Sequence, residues 1–151
     1  MDDIDRRIID RLQKNGQMSM ARLSEYVGLS QSACHRRVKI LRETGVISGY
    51  HASIDRKRLG LAFQAFIEVK LVSQRRSQID EFERAVARKP EILECHLISG
   101  EFDYLMRVAT TDTGSYEELY RRVLADLPCV SQLKTLLSLG SVKEFRGYHV
   151  W

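Results

Sequence analysis

Apolar side chains recur at helical spacing through the first part of the chain and at alternate positions through the second. Ile4, Ile8 and Leu12 lie four apart and predict a helix over residues 2–14. Asp2, Asp3 and Asp5 suit its positive end, and Asn15-Gly16 stops it. Leu23 and Val27 share the inner face of a second short helix, with Gly28 as a left-handed cap and Leu29 as an apolar plug. Ser30 then offers the side-chain oxygen that an N-cap needs. In the helix it opens, Ala33, Cys34, Val38 and Leu41 gather on one side, and Gln31, Ser32, His35, Arg36, Lys39 and Arg42 on the other. Arg37 falls among the inward residues, which predicts an ion pair with Asp5 or Glu25 rather than contact with a ligand.

Beyond these three helices the period changes. Residues 46–54 are β-rich, with Gly49 permitting a bend, and form either a wing or a linker strand that pairs with a second chain. Phe63, Ala65, Ile67, Val69 and Leu71 alternate with polar neighbours in a half-buried strand. Ser77 is the expected cap of a helix with inner face Ile79, Phe82 and Val86, ended before Pro90. Leu93, Cys95 and Leu97 mark a second strand, Ser99-Gly100-Glu101-Phe102 a tight turn, and Tyr104, Met106 and Val108 a third strand. A capping box of Ser115 and Glu118 opens a helix lined by Tyr116, Leu119, Tyr120, Val123 and Leu127, and Pro128 closes it. Leu133, Thr135, Leu137 and Leu139 alternate in the last strand. The order βαββαβ predicts a ferredoxin-like sheet with helices on one face. Its other face carries Phe66 and Leu136, which a second subunit would cover. The fold class expected is therefore α+β: a three-helix helix-turn-helix, winged-helix-like domain over 1–45, a linker strand over 46–60, and the ferredoxin-like domain over 61–151.

Charge separates the two halves. Residues 1–60 carry 12 Lys and Arg against 7 Asp and Glu, whereas residues 61–151 carry 12 against 13. The basic half is the helix-turn-helix half, so double-stranded DNA is its natural partner. Arg56-Lys57-Arg58 reads as solvated linker surface or a phosphate contact. The three cysteines, Cys34, Cys95 and Cys129, show no metal or redox spacing, which favours a reduced, cytoplasmic setting. A charged amino-terminal stretch and the lack of a long apolar run predict neither a secretory signal nor a membrane span.

The outward set of the third helix, Gln31, Ser32, His35, Arg36, Lys39 and Arg42 with Ser30 at its start, supplies the amide, hydroxyl, imidazole and guanidinium groups that bond base edges and phosphates in the major groove. A helical hairpin with a merely solvated face is the plainer alternative. No metal site or cofactor is expected: Cys95 and His96 are strand neighbours that point to opposite faces. No catalytic residue is expected either, because no nucleophile elbow or phosphate loop accompanies the Ser, His and Asp residues.

The segments IDRRIIDRLQKNG, LSEYVGLSQSACHRRVKILRETGVISGY, LGLAFQAFIEVKL, PEILECHLISGEFDYLMRV and LKTLLSL together resemble the Lrp/AsnC (feast/famine) transcriptional regulators, nearly end to end. The resemblance implies a DNA-binding domain followed by a βαββαβ (RAM) domain that senses amino acids and joins subunits into dimers and higher assemblies such as octamers. It also places an amino-acid effector at Gly100, Glu101, Asp103 and Tyr104, with Thr135 from the last strand. An ammonium and a carboxylate on the effector suit a side-chain carboxylate beside free backbone N–H groups. Without the resemblance, the same stretch is a plain hairpin, with Tyr104 a packing residue and Asp103 a turn residue. This chain departs from the family in having Ile40, Leu41 and Arg42 where a basic residue and Leu-Glu are usual, and Ala33 where many members have proline. Two other functions remain open on sequence: a sirohaem-decarboxylase-like enzyme on the same fold, and a DNA-architectural protein without an effector.

Overall fold

A computed structural model describes all 151 residues. The chain divides into two compact units, Met1–Ser53 with Val142–Trp151, and Ile54–Ser141.

The first unit holds α1 (Asp3–Lys14), α2 (Met20–Val27) and α3 (Gln31–Glu43). Asp2 and Asp5 form a reciprocal capping box at the start of α1. Gly28 ends α2 at φ 73°, and the Ser30 hydroxyl accepts from the Ala33 N–H to start α3. The turn between them is therefore built by its own two end residues. Ile8, Leu12, Leu23, Val27, Cys34, Val38 and Leu41 form the core, the inward set expected from their spacing. Arg37 reaches out of α3 to Asp2 and Asp5 at 2.8 Å each, which ties α3 to the first turn of α1. Asp5 is the partner expected; Asp2, rather than Glu25, is the second.

The second unit holds β1 (Phe63–Leu71), α4 (Arg76–Val86), β2 (Ile92–Leu97), β3 (Tyr104–Thr110), α5 (Thr113–Leu119) and β4 (Val130–Leu137). A π-helical turn over Tyr120–Leu124 extends α5, closed by the Ala125 N–H on the Tyr120 carbonyl. The strands lie in the order β2-β3-β1-β4, all neighbours antiparallel, which is the expected ferredoxin-like arrangement. Ala65, Ile67, Val69 and Leu71 on β1 face Phe82 and Val86 of α4 and Leu119, Val123, Leu124 and Leu127 of the α5 segment. No helix is long and apolar enough to cross a membrane.

Five details differ from the sequence reading, the first being that β4 ends at Leu137 and leaves Leu139 outside the last strand. The α4 helix starts at Arg76, so Ser77 lies inside its first turn and no side chain caps it. The cap of α5 is Asp112, whose carboxylate accepts from the Ser115 N–H at 2.7 Å, in place of the expected pair Ser115 and Glu118. Residues 46–60 form no strand within the chain, since an extended segment needs a neighbour to complete a ladder. The segment Val142–Trp151, expected within 61–151, groups with the helical unit instead, because its backbone is hydrogen-bonded to Gln13.

Candidate functional site

The outer face of α3 is set by its core. With Cys34, Val38 and Leu41 buried, the helical period turns Gln31, Ser32, His35, Arg36, Lys39 and Arg42 outward, and all six are exposed, as is Ser30. Within this set, Ser32 Oγ lies 3.2 Å from Ser30 Oγ, and Lys39 stands 3.6 Å from Glu43. Arg36 and Arg37 are adjacent, yet only Arg37 is drawn into the fold by carboxylates. Spacing alone did not single out Ile40, which is half exposed on this side of the helix and adds an apolar contact to the polar set. The face thus offers donors, acceptors, two guanidinium groups and one methyl-bearing side chain, a combination suited to groove edges and phosphates.

The second candidate lies where β2 turns into β3. The Ile98 N–H bonds the Asp103 carbonyl at 2.9 Å and closes the loop, in which Gly100 takes φ +141°, a conformation that favours glycine. Asp103 is buried and fully engaged. Its Oδ2 accepts from the Leu71 N–H at 2.8 Å, its Oδ1 accepts from Gln74 Nε2 at 2.9 Å, and its own N–H donates to the Val69 carbonyl. Gly100 and Glu101 are exposed at the tip, and Lys70 Nζ donates to the Glu101 carbonyl. Phe102 tucks inward, with the Lys134 ammonium 5.4 Å from its ring centroid.

Tyr104 points to the helix side of the sheet. Its ring lies 4.7 Å from that of Phe82, and its hydroxyl donates to Glu83 Oε1 at 2.8 Å. Burial, reinforced by that carboxylate, raises the phenol well above its ordinary value. Burial, and after it the Glu83 carboxylate, also pushes the nearby Cys95 thiol up to about 11. Glu83, Pro90, Cys95, Leu97 and Tyr104 line an open groove of about 440 Å³ between the end of α4 and β2. Thr135 lies on β4, with β1 between it and β3, and its hydroxyl is 2.6 Å from that of Tyr116. Within one chain the five candidates are therefore not assembled around one cavity. Gly100 and Glu101 stand exposed at the tip, Asp103 and Tyr104 hold the hairpin from inside, and Thr135 sits two strands away.

Residues 1–42 match the family model of the AsnC-type helix-turn-helix domain, and residues 64–148 that of the Lrp/AsnC ligand binding domain. The proline dehydrogenase transcriptional activator of Rhizobium radiobacter is 40% identical over 144 residues, covering 95% of this chain and 92% of that protein. The leucine-responsive regulatory protein of Escherichia coli K12 is 38% identical over 144 residues, covering 95% and 88%. Among solved structures, a Neisseria meningitidis transcriptional regulator in complex with L-Met superposes with a TM-score of 0.89 at 31% identity, covering 95% of this chain and 93% of that one. An AsnC family transcriptional regulator from Agrobacterium tumefaciens gives a TM-score of 0.92 at 28% identity, covering 99% and 97%.

Proposed function

The chain belongs to the Lrp/AsnC family of transcriptional regulators, and from that premise we propose that it binds double-stranded DNA as a dimer and answers to an amino acid. The exposed polar face of α3 carries the reading: its core-facing side is apolar, and its other side is a continuous set of base- and phosphate-bonding groups. Ser30, Gln31, Ser32, His35, Arg36, Lys39 and Arg42 are the contacts.

The dimer forms through the sheet face that no helix covers. Phe66 and Leu136 pair across β1 and β4 on that face, beside the Glu68–Lys134 ion pair at 3.0 Å. Further association into a larger assembly such as an octamer brings hairpins of different dimers together. The amino-acid effector then binds at the exposed Gly100–Glu101 tip, where a carboxylate and a glycine backbone suit its ammonium and carboxylate. Asp103 and Tyr104 support the tip from within, and Thr135 belongs to the same effector region only across subunits. The L-Met bound by the Neisseria relative supports an amino acid as the class of ligand.

Selection from a random pool of duplexes tests the DNA reading. The wild-type protein should enrich paired half-sites spaced by about one helical turn, roughly 10 bp, or a multiple of it. Arg36→Ala should weaken binding without lowering the melting temperature, and Arg37→Ala should do mainly the reverse. Failure to enrich any duplex would overturn the reading.

A further inference from the structure

The β2 strand lies at an edge of the sheet, with β3 on one side and no strand on the other. Its backbone groups alternate between the two sides. The Ile98 N–H bonds the Asp103 carbonyl, so His96 and Glu94, two and four residues back, also face β3. Cys95 and Leu97 therefore turn their N–H and C=O groups to the open edge. No Lys or Pro within Ile92–Leu97 blocks a further strand, and the bulge between Ile92 and Glu94 sits at one end only. Leu93 is 49% exposed and Leu97 68%, so the edge is apolar as well as unpaired.

The run Leu93-Glu94-Cys95-His96-Leu97 is complementary to itself when reversed. A two-fold axis through Cys95 sets the strand antiparallel to its own copy, with Cys95 opposite Cys95, Glu94 opposite His96 and Leu93 opposite Leu97. The outward backbone groups of the two Cys95 residues then exchange N–H···O bonds. Glu94 and His96 fall at the closer, non-hydrogen-bonded positions, where a carboxylate meets an imidazole that donates whether neutral or protonated. The Glu94 carboxylate is already held on that face, 2.5 Å from Arg107 and 3.8 Å from His96 of its own chain. The leucines meet on the helix side, at the border of the groove beneath α4. Moving the axis one residue removes the match: through Glu94 it opposes two carboxylates, and through His96 two imidazoles. The other edge strand, β4, has Lys134 as its one charged residue and no charge pair to fix a register.

We propose that β2 pairs with β2 of a second copy about an axis at Cys95, and that this edge contact joins dimers into the larger assembly. This rests on the reading of the open sheet face as the dimer contact. Each dimer then offers two edges, and two edges acting together hold where a single short one is weak. The sheets of neighbouring dimers run on into each other across the paired strands.

The test uses the full-length protein, with sedimentation velocity to read the assembly and amide hydrogen exchange to read the edge. Wild type should form species larger than a dimer as concentration rises, and the Cys95 and Leu97 amides should exchange more slowly in them. His96→Glu opposes two carboxylates, and Glu94→Lys opposes two basic groups; both positions are exposed, so the fold is kept. Each variant should remain a dimer, with association between dimers weakened roughly tenfold. An equal mixture of the two variants should restore the association, because each edge then meets its opposite charge. A wild type that stops at the dimer would overturn the edge pairing and leave the sheet-face dimer standing. Larger species in which the Cys95 and Leu97 amides exchange freely, or in which protection appears along β4, would overturn it too. So would larger species that form undiminished in His96→Glu, or a mixture that restores nothing. A wild type that is monomeric throughout would instead bring down the sheet-face dimer, and the edge pairing with it.

Discussion

Asp2 has two partners at the start of α1: its Oδ1 accepts from the Asp5 N–H, and its Oδ2 from Arg37 Nη1. The backbone bond, and after it the guanidinium, holds the Asp2 carboxyl below its ordinary value of 3.8. Asp112 is lowered in the same way by the Ser115 N–H at the cap of α5. A carboxyl whose value is depressed in the folded state contributes stability that is fully present above 3.8 and lost as pH falls through the lower folded value. Melting temperature should therefore fall in that acid range, and the Asp2→Asn variant should lose less of it on acidification than wild type. An identical acid profile in the variant would remove Asp2 from the account. Asp103 gives a second expectation at this scale. Its side chain satisfies the Leu71 N–H, so Asp103→Ala leaves a buried donor without a partner and should cost about 1–3 kcal/mol of stability, read by urea unfolding. Glu101→Ala, at the exposed tip, should instead leave stability unchanged and weaken the effector response. The residue pattern alone did not separate these two acids, because both stand in one short loop; what separates them is which carboxylate meets β1.

Among the elements, the ones with the strongest period were legible and their ends were not. The alternation in β1 predicts its buried face from Ala65 to Leu71, with Gln64 buried as well and Phe63 only partly so, and of the inward set of α3 Cys34, Val38 and Leu41 are buried and Ala33 partly. Caps failed where two registers competed. Asp112 and Ser115 stand three apart, as do Ser115 and Glu118, and the earlier pair opens α5 because a carboxylate is the better acceptor for a free N–H. The π-helical turn at Tyr120–Leu124 has no periodic signature: it widens one turn and brings Leu124 into the core beside Val123. The α4 helix has no side-chain cap and depends on what it buries. Phe82 is fully buried against Tyr104, and Phe82→Ala should cost about 3–5 kcal/mol in chemical denaturation, more than loss of any cap in the chain. A cost near that of a surface substitution would show that α4 is held by something other than this ring.

For the whole molecule, the sequence shows two units through the change of period and the change of charge near residue 60, but it does not show that the last ten residues return to the first unit. That return depends on one amide and one glycine conformation far apart in sequence, which no local pattern encodes. The proposed self-association is different, because its signal is a surface. Phe66 stands opposite Leu136 on the sheet face away from α4 and α5, and the charges beside them are already paired within the chain, Glu68 with Lys134 and Arg107 with Glu94. An apolar pair framed by neutralised charges is matched by the same surface on a second copy related by a two-fold axis, since each side then meets apolar with apolar. Leu136→Glu places a charge in the middle of that patch without touching the core on the helix side. The variant should sediment as a folded monomer at concentrations where wild type is dimeric, with an unchanged far-ultraviolet circular dichroism spectrum. Its affinity for a single half-site should remain, because α3 is intact, while its affinity for paired half-sites should fall to nearly that of one half-site. A Leu136→Glu protein that stays dimeric would place the subunit contact on another surface.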